Sequence, residues 1–272
     1  MPGRPRRLLI AGCGDLGNRV PGVLAGWQIH GLRRNVARLA PGIVPLRADL
    51  SDPATLNEAA GFWDGVVYTA TPGARTPEGY RQAYVDGLRN LIERIDTPRL
   101  VMVSSTAVYG QDRGEWVDER SSTVPARFNG EILLEAERLT HAAGGVVVRF
   151  AGIYGPGREY LIDKVRSGPV GCRREPPIWT NRIHAEDCAA ALAHLLEMDA
   201  PDAVYVASDA CPAPRWDVLE WLAERLGVPG PFEQEDSAGQ GKRVCADRLA
   251  ATGFALRYPD YRAGYEEVLE CD

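Results

Sequence analysis

The sequence predicts an α/β protein, with a doubly wound parallel sheet in residues 1–150 and a small C-terminal α/β domain in residues 151–272. Two observations indicate this fold class. Short apolar, β-branched runs alternate with longer helix-compatible stretches, as in parallel strands joined by crossover helices. After residue 150 glycine and proline pairs become frequent, which is typical of a smaller, loop-rich part. Some elements of this second part are expected to return to the sheet.

Each predicted element follows from its own pattern. Apolar runs short enough for buried strands alternate with stretches in which apolar residues recur at helical spacing, as in Leu88, Leu91 and Ile95. The predicted strands are residues 8–11, 28–32, 43–46, 65–70, 100–104 and 146–150, and the predicted helices between them are residues 19–26, 52–61, 80–95 and 130–143. Further helices are predicted at 184–198, 216–226 and 264–269, with a strand at 204–207.

Almost all of the basic side chains are arginine: 29 of the 31, with Lys164 and Lys242 as the only lysines. The first 163 residues therefore offer no ammonium group for chemistry. A net charge of −6, with 45% hydrophobic and 25% charged residues, is ordinary for a soluble globular protein. It does not suggest a surface for nucleic acid or for an anionic membrane.

The six cysteines are scattered, with no CxxC motif and no histidine at ligand spacing, so neither a disulfide framework nor a metal site is expected. Only residues 8–11 are apolar before the first glycine turn, too few for a signal-peptide core or a membrane span. Both observations predict a cytoplasmic protein.

A glycine-rich loop follows the first predicted strand, in the GxGxxG pattern of Gly12, Gly14 and Gly17. The first glycine makes the turn, the second lets a pyrophosphate approach the backbone, and the third lets the helix pack on the strand. With Asp15 and Leu16, these residues form the predicted dinucleotide site; the alternative is a turn that serves packing only. Pro21 falls inside the predicted helix 19–26 and should kink or shorten it.

The second predicted strand ends in Arg33 and Arg34, where an NAD-specific site usually carries an acid for the ribose 2′-hydroxyl. A guanidinium forms bidentate, charge-assisted hydrogen bonds with a phosphate, so the pair predicts NADP as the cofactor, with NAD as the alternative. Two solvated arginines at a strand end are the structural alternative.

Several segments together resemble a known family. They are Ala48-Asp49-Leu50, Tyr68-Thr-Ala-Thr71, Ser104-Ser-Thr-Ala-Val-Tyr-Gly110, Arg149-Phe-Ala-Gly-Ile-Tyr-Gly-Pro156 and Asn181-Arg-Ile-His-Ala-Glu-Asp187. In these motifs the chain resembles an extended short-chain dehydrogenase/reductase, of the NAD(P)-dependent epimerase/dehydratase family. The resemblance implies a Rossmann domain that binds NAD(P) and a small domain that closes over the substrate. It places Asp49, Leu50, Ala70, Thr71 and Ser104 at the cofactor.

The family's chemistry uses a Ser or Thr, an Asn, and the Tyr and Lys of YxxxK. The resemblance places the first at Ser105, but it aligns Arg127 with the Tyr and Glu131 with the Lys, in an atypical, degenerate site. A positive charge near the phenol normally lowers its pKa, and Glu131 would do the opposite if it points inward. The alternative for Glu131 is a solvated carboxylate at the start of a helix, where the helix dipole favours a negative charge.

Another acid or base is therefore needed if the chain is an enzyme. The Asn position falls on Tyr84 or Asp86, and these two residues, Tyr109 and His184 are the candidates, with Ser105 as a hydrogen-bond donor to the substrate. Each of them could instead have a purely structural role. Ser105 and Tyr109 are the predicted catalytic pair.

The resemblance implies an epimerase or carbonyl reductase acting on an anionic, sugar-nucleotide-like small molecule. Dehydration is disfavoured, because Thr106-Ala107 stands where family dehydratases carry an Asp-Glu pair. A positive substrate pocket could come from four arginines that could equally be solvated loop charges: Arg158, Arg166, Arg173 and Arg174. The alternative function is a non-catalytic NADP-binding sensor or scaffold protein. By resemblance, a homodimer would form through helices 80–95 and 130–143.

Overall fold

The computed structural model describes residues 4–235 and 239–270. The chain divides into two compact units. The first, called the N-terminal unit below, comprises Met1–Val108, Thr123–Arg149 and Ala189–Tyr205. The second, called the C-terminal unit, comprises Tyr109–Ser122, Phe150–Cys188 and Val206–Asp272.

Strands and helices alternate through the described residues. The strands are β1 (Arg6–Ala11), β2 (Trp27–Arg33), β3 (Val44–Arg47), β4 (Gly61–Phe62), β5 (Gly65–Tyr68), β6 (Ile95–Asp96), β7 (Leu100–Ser105), β8 (Arg113–Val117), β9 (Val146–Phe150), β10 (Gly152–Tyr154), β11 (Gly171–Cys172), β12 (Trp179–Thr180), β13 (Arg182–His184), β14 (Val204–Ala207), β15 (Ala213–Pro214), β16 (Phe232–Glu233) and β17 (Gly241–Val244). The helices are α1 (Asp15–Arg19), α2 (Pro77–Arg81), α3 (Gly87–Ile92), α4 (Phe128–Ala142), α5 (Tyr160–Arg166), α6 (Ala185–Glu197), α7 (Arg215–Leu226), α8 (Asp247–Ala251) and α9 (Tyr261–Glu270).

The central sheet has seven strands in the order β14-β9-β7-β5-β1-β2-β3. Pairing is parallel between β1 and both of its neighbours, between β2 and β3, and between β5 and β7. Leu8, Leu9 and Ile10 of β1 are fully buried, as expected for a strand covered on both faces. The predicted α/β fold with a doubly wound parallel sheet is confirmed.

The prediction of a helix over residues 19–26 was wrong. Helix α1 starts directly after the glycine loop and ends at Arg19, where a 3₁₀ turn, Val20–Gly22, takes over. Pro21 stands at the start of this turn, because its ring and missing N–H do not allow an α-helix to continue through it. The predicted helix 52–61 is a 3₁₀ segment, Pro53–Ala59, capped by the Asp52 side chain.

The predicted helix 80–95 begins earlier and is interrupted. The Thr76 side chain accepts a hydrogen bond from Gly79 N and caps α2. Between α2 and α3 lies a π turn, Gln82–Asp86. At this turn the Tyr68 hydroxyl of β5 donates to Ala83 O at 2.5 Å, and Gly87 N–H bonds Gln82 O. A side chain has thus taken the acceptor of one α-helical hydrogen bond.

The C-terminal unit contains a four-stranded sheet in the order β15-β12-β17-β8. Its apolar core includes residues of α5, α7 and α9, such as Ile162, Leu222 and Tyr265. Within residues 4–235 and 239–270, no helix is long and apolar enough to cross a membrane.

Candidate functional site

The glycine loop lies between β1 and α1, and the structure gives a different physical reason for glycine at each of its three positions. Gly12 has a φ of +75°, and a Cβ there would lie 2.4 Å from Ala70 Cα. A Cβ on Gly17 would lie 2.8 Å from Cys13 Sγ and 2.9 Å from Ile10 Cγ2. A Cβ on Gly14 meets only Gly12 O, at 3.7 Å, so the space beside the loop is open. In dinucleotide-binding loops of this spacing, the space beside the second glycine is where a pyrophosphate approaches the backbone.

A cavity of about 360 Å³ opens beside this loop, in the N-terminal unit. The structure brings together eight of the twelve residues predicted to bind the cofactor, which all line this cavity: Gly12, Gly14, Arg33, Arg34, Asp49, Leu50, Ala70 and Thr71. Sequence reasoning missed other lining residues, among them Asn35, Arg38, Ser51, Gly79 and Gln82.

Three arginines line the cavity: Arg33, Arg34 and Arg38. Arg33 Nη1 donates to Arg38 O at 3.3 Å, so the strand end and the following turn are tied together. The Arg34 side chain is 75% exposed and its Nη1 lies 3.9 Å from Asp49 Oδ2. Asn35 caps the turn that carries Arg38, and this cap is the sequence signal that could have found the third arginine.

Asp49 keeps its negative charge at this cavity. Burial opposes its ionisation, but hydrogen bonds from Ser51 N at 3.0 Å and Ser51 Oγ at 2.8 Å outweigh it. With the nearby Arg34 guanidinium, they hold the pKa of the Asp49 carboxyl below its usual range.

The other four predicted cofactor residues are outside the cavity lining. Asp15 Oδ1 accepts from Arg19 Nε at 3.1 Å, one turn further along the chain. Leu16 and Gly17 are buried under the loop. Ser104 is buried and its hydroxyl donates to Glu137 Oε1 at 2.6 Å.

Ser104 belongs to a buried polar network. Glu137 of α4 also accepts from Arg149 Nε at 2.9 Å and Arg149 Nη2 at 2.6 Å, and the two side chains are only 3% and 7% exposed. The network joins β7, α4 and β9. It fixes the strand end that carries the neighbouring residue, Ser105.

Ser105 ends β7 and is half-buried, with its Oγ accepting from Ala107 N at 3.2 Å. The start of α4 packs against the same turn, because a Cβ on Gly130 would lie 2.5 Å from Ala107 O. Arg127 occupies the N-cap position of α4 without a capping hydrogen bond from its side chain, Glu131 is in the first turn, and both residues are exposed. An arginine and a carboxylate thus stand at the two positions that the resemblance aligns with the Tyr and the Lys.

Tyr109 is buried in the C-terminal unit, and its carbonyl accepts from Lys242 Nζ at 2.5 Å. Burial lowers the pKa of the Lys242 ammonium, against the opposing charges of Asp112 and Glu115. One of the two lysines of the chain therefore holds the backbone at a predicted catalytic residue, a contact that the sequence did not suggest.

The remaining candidates for an acid or base are Tyr84, Asp86 and His184. Tyr84 is in the π turn, where burial and the neighbouring Tyr80 raise its pKa to about 12. Asp86 Oδ1 lies 3.4 Å from Arg89 Nη1. His184 is fully buried, with Nδ1 accepting from Glu186 N at 3.3 Å. The bonding of His184 suits a structural role.

Two of the arginines considered for a substrate pocket are held locally. Arg173 Nε donates to Pro176 O at 2.9 Å, and the Arg174 guanidinium lies 5.2 Å from the centre of a Trp216 ring. Among the described residues, no group of three or more His, Cys, Asp or Glu side chains could hold a metal ion. Cys271 lies outside the described residues, and the other five cysteines form no disulfide.

No family model matches the chain. A solved structure from Methylobacillus flagellatus, described as an NAD-dependent epimerase/dehydratase, is 35% identical, covers 98% of each chain and superposes with a TM-score of 0.83. Protein YeeZ of Escherichia coli is 28% identical over 282 residues, covering 94% of this chain and 97% of YeeZ. The 3-diazoavenalumate denitrifying reductase of a Streptomyces species is 26% identical over 255 residues, covering 83% of each chain.

Proposed function

Because this chain belongs to the NAD-dependent epimerase/dehydratase family, we propose that it is an NADP(H)-binding reductase or epimerase that acts on an anionic, sugar-nucleotide-like small molecule. The observation that carries the cofactor choice is the set of guanidinium groups at the end of β2. Arg33, Arg34 and Arg38 line the cavity beside the glycine loop, where an NAD site would carry an acid.

Different parts of the cofactor would lie against different residues of the cavity. The open space beside Gly14 would take the pyrophosphate, Asp49 and Leu50 would flank the adenine, and the arginines would take the 2′-phosphate. Bound NADPH supplies a hydride. The chain itself must orient the substrate and provide a proton where the reaction needs one.

Reduction is the reaction class that the residues support first. Ser105 ends β7 with a half-buried hydroxyl that can donate to a substrate oxygen. Arg127 and Glu131, which replace the Tyr and the Lys, do not offer a phenol of lowered pKa. A substrate that accepts hydride without strong acid catalysis therefore suits the chain better than one that needs a phenolic relay. The Streptomyces relative, named as a reductase of a diazo compound, supports this choice.

A second candidate is a non-catalytic NADP-binding sensor or scaffold protein. The exposed Arg127 and Glu131 favour it, because an arginine does not release its proton and a carboxylate does not lower the pKa of a nearby phenol as the family's Lys does. Whether catalytic or not, the protein is expected to form a homodimer through the helices around α2, α3 and α4, which sedimentation analysis would test.

The two candidates are separated by turnover. Purified protein is mixed with NADPH and a panel of nucleotide sugars, sugar phosphates, simple carbonyls and diazo compounds, and NADPH oxidation and products are followed, with Ser105→Ala as the control. Turnover that Ser105→Ala reduces supports the enzyme, whereas cofactor binding without any product favours the sensor.

The cofactor choice has its own test. The double variant Arg33→Ala, Arg34→Ala should weaken NADP⁺ binding by about tenfold or more, because charge-assisted hydrogen bonds to the 2′-phosphate are lost. NAD⁺, which lacks that phosphate, should be little affected. An unchanged ratio of the two affinities would show that the arginines do not select the cofactor.

A further inference from the structure

A second cavity lies wholly within the C-terminal unit. Its volume is about 390 Å³, within the range of small-molecule sites. It is lined by the ends of β8 and β17, by α8 and by the segments after β14 and α8.

The lining of this cavity is mainly apolar. Val244 and Leu249 are only 2% exposed and form part of the core, while Phe254 and Leu256 come from the segment after α8. Trp116 is 57% exposed and presents a large aromatic surface. An apolar wall with a few polar groups is the usual composition of a site that binds a small organic molecule.

The charged groups of the lining are all negative. Asp209 and Asp247 line the cavity, and among residues 4–235 and 239–270 no lysine, arginine or histidine belongs to its lining. The Arg243 guanidinium lies 5.1 Å from the Trp116 ring centre, but its Nε donates to Gly114 O at 2.7 Å and it is outside the lining. The charge of this lining is the opposite of that around the three arginines in the N-terminal unit.

Asp209 is a buried carboxylate that lacks a full set of partners. It is 1% exposed; Oδ1 accepts from Cys211 N at 3.4 Å, and Oδ2 has no hydrogen-bond partner. Arg182 is a neighbouring cation, yet its Nη2 donates to Thr180 Oγ1 at 2.6 Å and its Nη1 has no partner either. A buried carboxylate oxygen without a partner is costly, so a ligand that supplies a donor would be favoured.

Burial also raises the pKa of Asp209 to about 7, against the lowering effect of Arg182. Asp187 and Asp260 add to this rise through their negative charge. A cation bound at the carboxylate would stabilise its ionised form.

We propose that this cavity binds a small amphiphilic amine, with its apolar body against Val244, Leu249 and Phe254 and its ammonium group paired with Asp209. Asp247, which is exposed, adds negative potential to the same cavity. The chemical class follows from the apolar wall, the two carboxylates and the unpartnered oxygen, and it does not depend on the proposed cofactor or reaction.

The test is calorimetric titration of the full chain with phenethylamine, tyramine and cyclohexylmethylamine. Phenethyl alcohol and hydrocinnamate serve as neutral and anionic ligands of similar shape. At least one amine should bind, the alcohol should bind about tenfold more weakly, and the carboxylate should not bind. Only the ammonium group offers both a positive charge and hydrogen-bond donors to the Asp209 carboxylate.

Two variants and one control locate the site. Asp209→Asn should weaken amine binding by about tenfold and Asp247→Asn by a smaller factor, because the former group is buried and the latter exposed. Glu224→Gln, on the exposed face of α7, should change nothing. Thermal melting checks the fold of each variant; if Asp209→Asn does not fold, Asp247→Asn and the ligand series decide. The proposal would be overturned if no amine binds, if the alcohol binds as tightly as the amines, or if the carboxylate binds. It would also be overturned if neither Asp variant changes the affinity for the amines.

Discussion

Removing the Tyr68 hydroxyl is expected to destabilise the fold by about 0.5–1.5 kcal/mol, because Tyr68→Phe removes the hydrogen bond that this hydroxyl donates to the half-buried Ala83 carbonyl. Tyr68 is fully buried and its hydroxyl donates to Ala83 O at 2.5 Å. The Gly87 N–H that would bond this carbonyl in an α-helix is already bonded to Gln82 O.

The alternative outcome would be closure of the π turn into regular α-helix. Gly87 N–H would then return to Ala83 O, and the residues before the turn would rotate by about 100°. Gly79 and Gln82 would leave the cavity lining. We expect the turn to persist, because the Thr76 cap and the bidentate contact from Arg81 to Glu135, at 2.9 Å for each hydrogen bond, hold α2 in place.

Gly87→Ala provides the matched partner for a double-mutant cycle. A Cβ at Gly87 would lie 2.7 Å from the Tyr68 hydroxyl and 3.1 Å from Leu50 Cβ. Gly87→Ala should therefore destabilise the wild type, although glycine to alanine inside a helix ordinarily stabilises by about 0.5–1 kcal/mol. With Phe at position 68 the oxygen is gone, and the same change should cost about 1 kcal/mol less.

Urea unfolding of the wild type, the two single variants and the double variant measures the coupling, and NADPH binding reports on the cavity. Tyr84→Phe removes a hydroxyl from the same helical segment and is the control. Free-energy changes that add to within about 0.5 kcal/mol would refute the role assigned to the Tyr68 hydroxyl. A fall in NADPH affinity without loss of stability would indicate closure of the π turn.

Three further predictions follow from buried groups and tight contacts. Arg149→Met should lower the free energy of unfolding by about 3–5 kcal/mol, because it leaves the buried Glu137 carboxylate without its ion-pair partner. Adding Glu137→Leu should restore part of this stability. A double variant that is no more stable than Arg149→Met in urea unfolding would contradict the prediction. Burial holds the pKa of His30 below its ordinary 6.5, so the folded state resists protonation and stability should fall as pH drops below about 6.5. His30→Phe should flatten this loss, and melting curves at several pH values would show it; an equally steep loss in the variant would locate the acid sensitivity elsewhere. Gly12→Ala should cost more than about 1 kcal/mol and abolish NADPH binding, whereas Gly22→Ala, with nothing within 4 Å, should be tolerated; equal effects in thermal melting would contradict the packing argument.

Inner strands of the central sheet, such as β1, β5 and β9, could be predicted because they are buried on both faces and read as continuous apolar runs. The helices were harder. The start of α2 had a sequence signal, Thr76 before Pro77, whereas the π turn makes its contact with Tyr68 of a distant strand and has no local signal. The short strands of the C-terminal unit, such as β11 and β12, have two residues each, too few to show the alternation of apolar and polar residues that identifies a strand.

The candidate site could be predicted where a backbone motif defines it. The glycine spacing led to Gly12, Gly14 and the cavity beside them, and the strand end led to Arg33 and Arg34. Ser104 illustrates the limit. Adjacent residues in a strand point to opposite faces, so Ser104 and Ser105 could not both face the same side, and only the structure shows that Ser104 turns to Glu137.

The equilibrium binding of NADP⁺ and NAD⁺ to the wild-type chain, measured by calorimetry at physiological salt, tests the central claim most directly. The three arginines at the cavity predict that NADP⁺ binds about tenfold or more tightly than NAD⁺, and that this preference weakens at high salt. Binding of neither nucleotide, or an NAD⁺ affinity equal to or higher than that for NADP⁺, would contradict it.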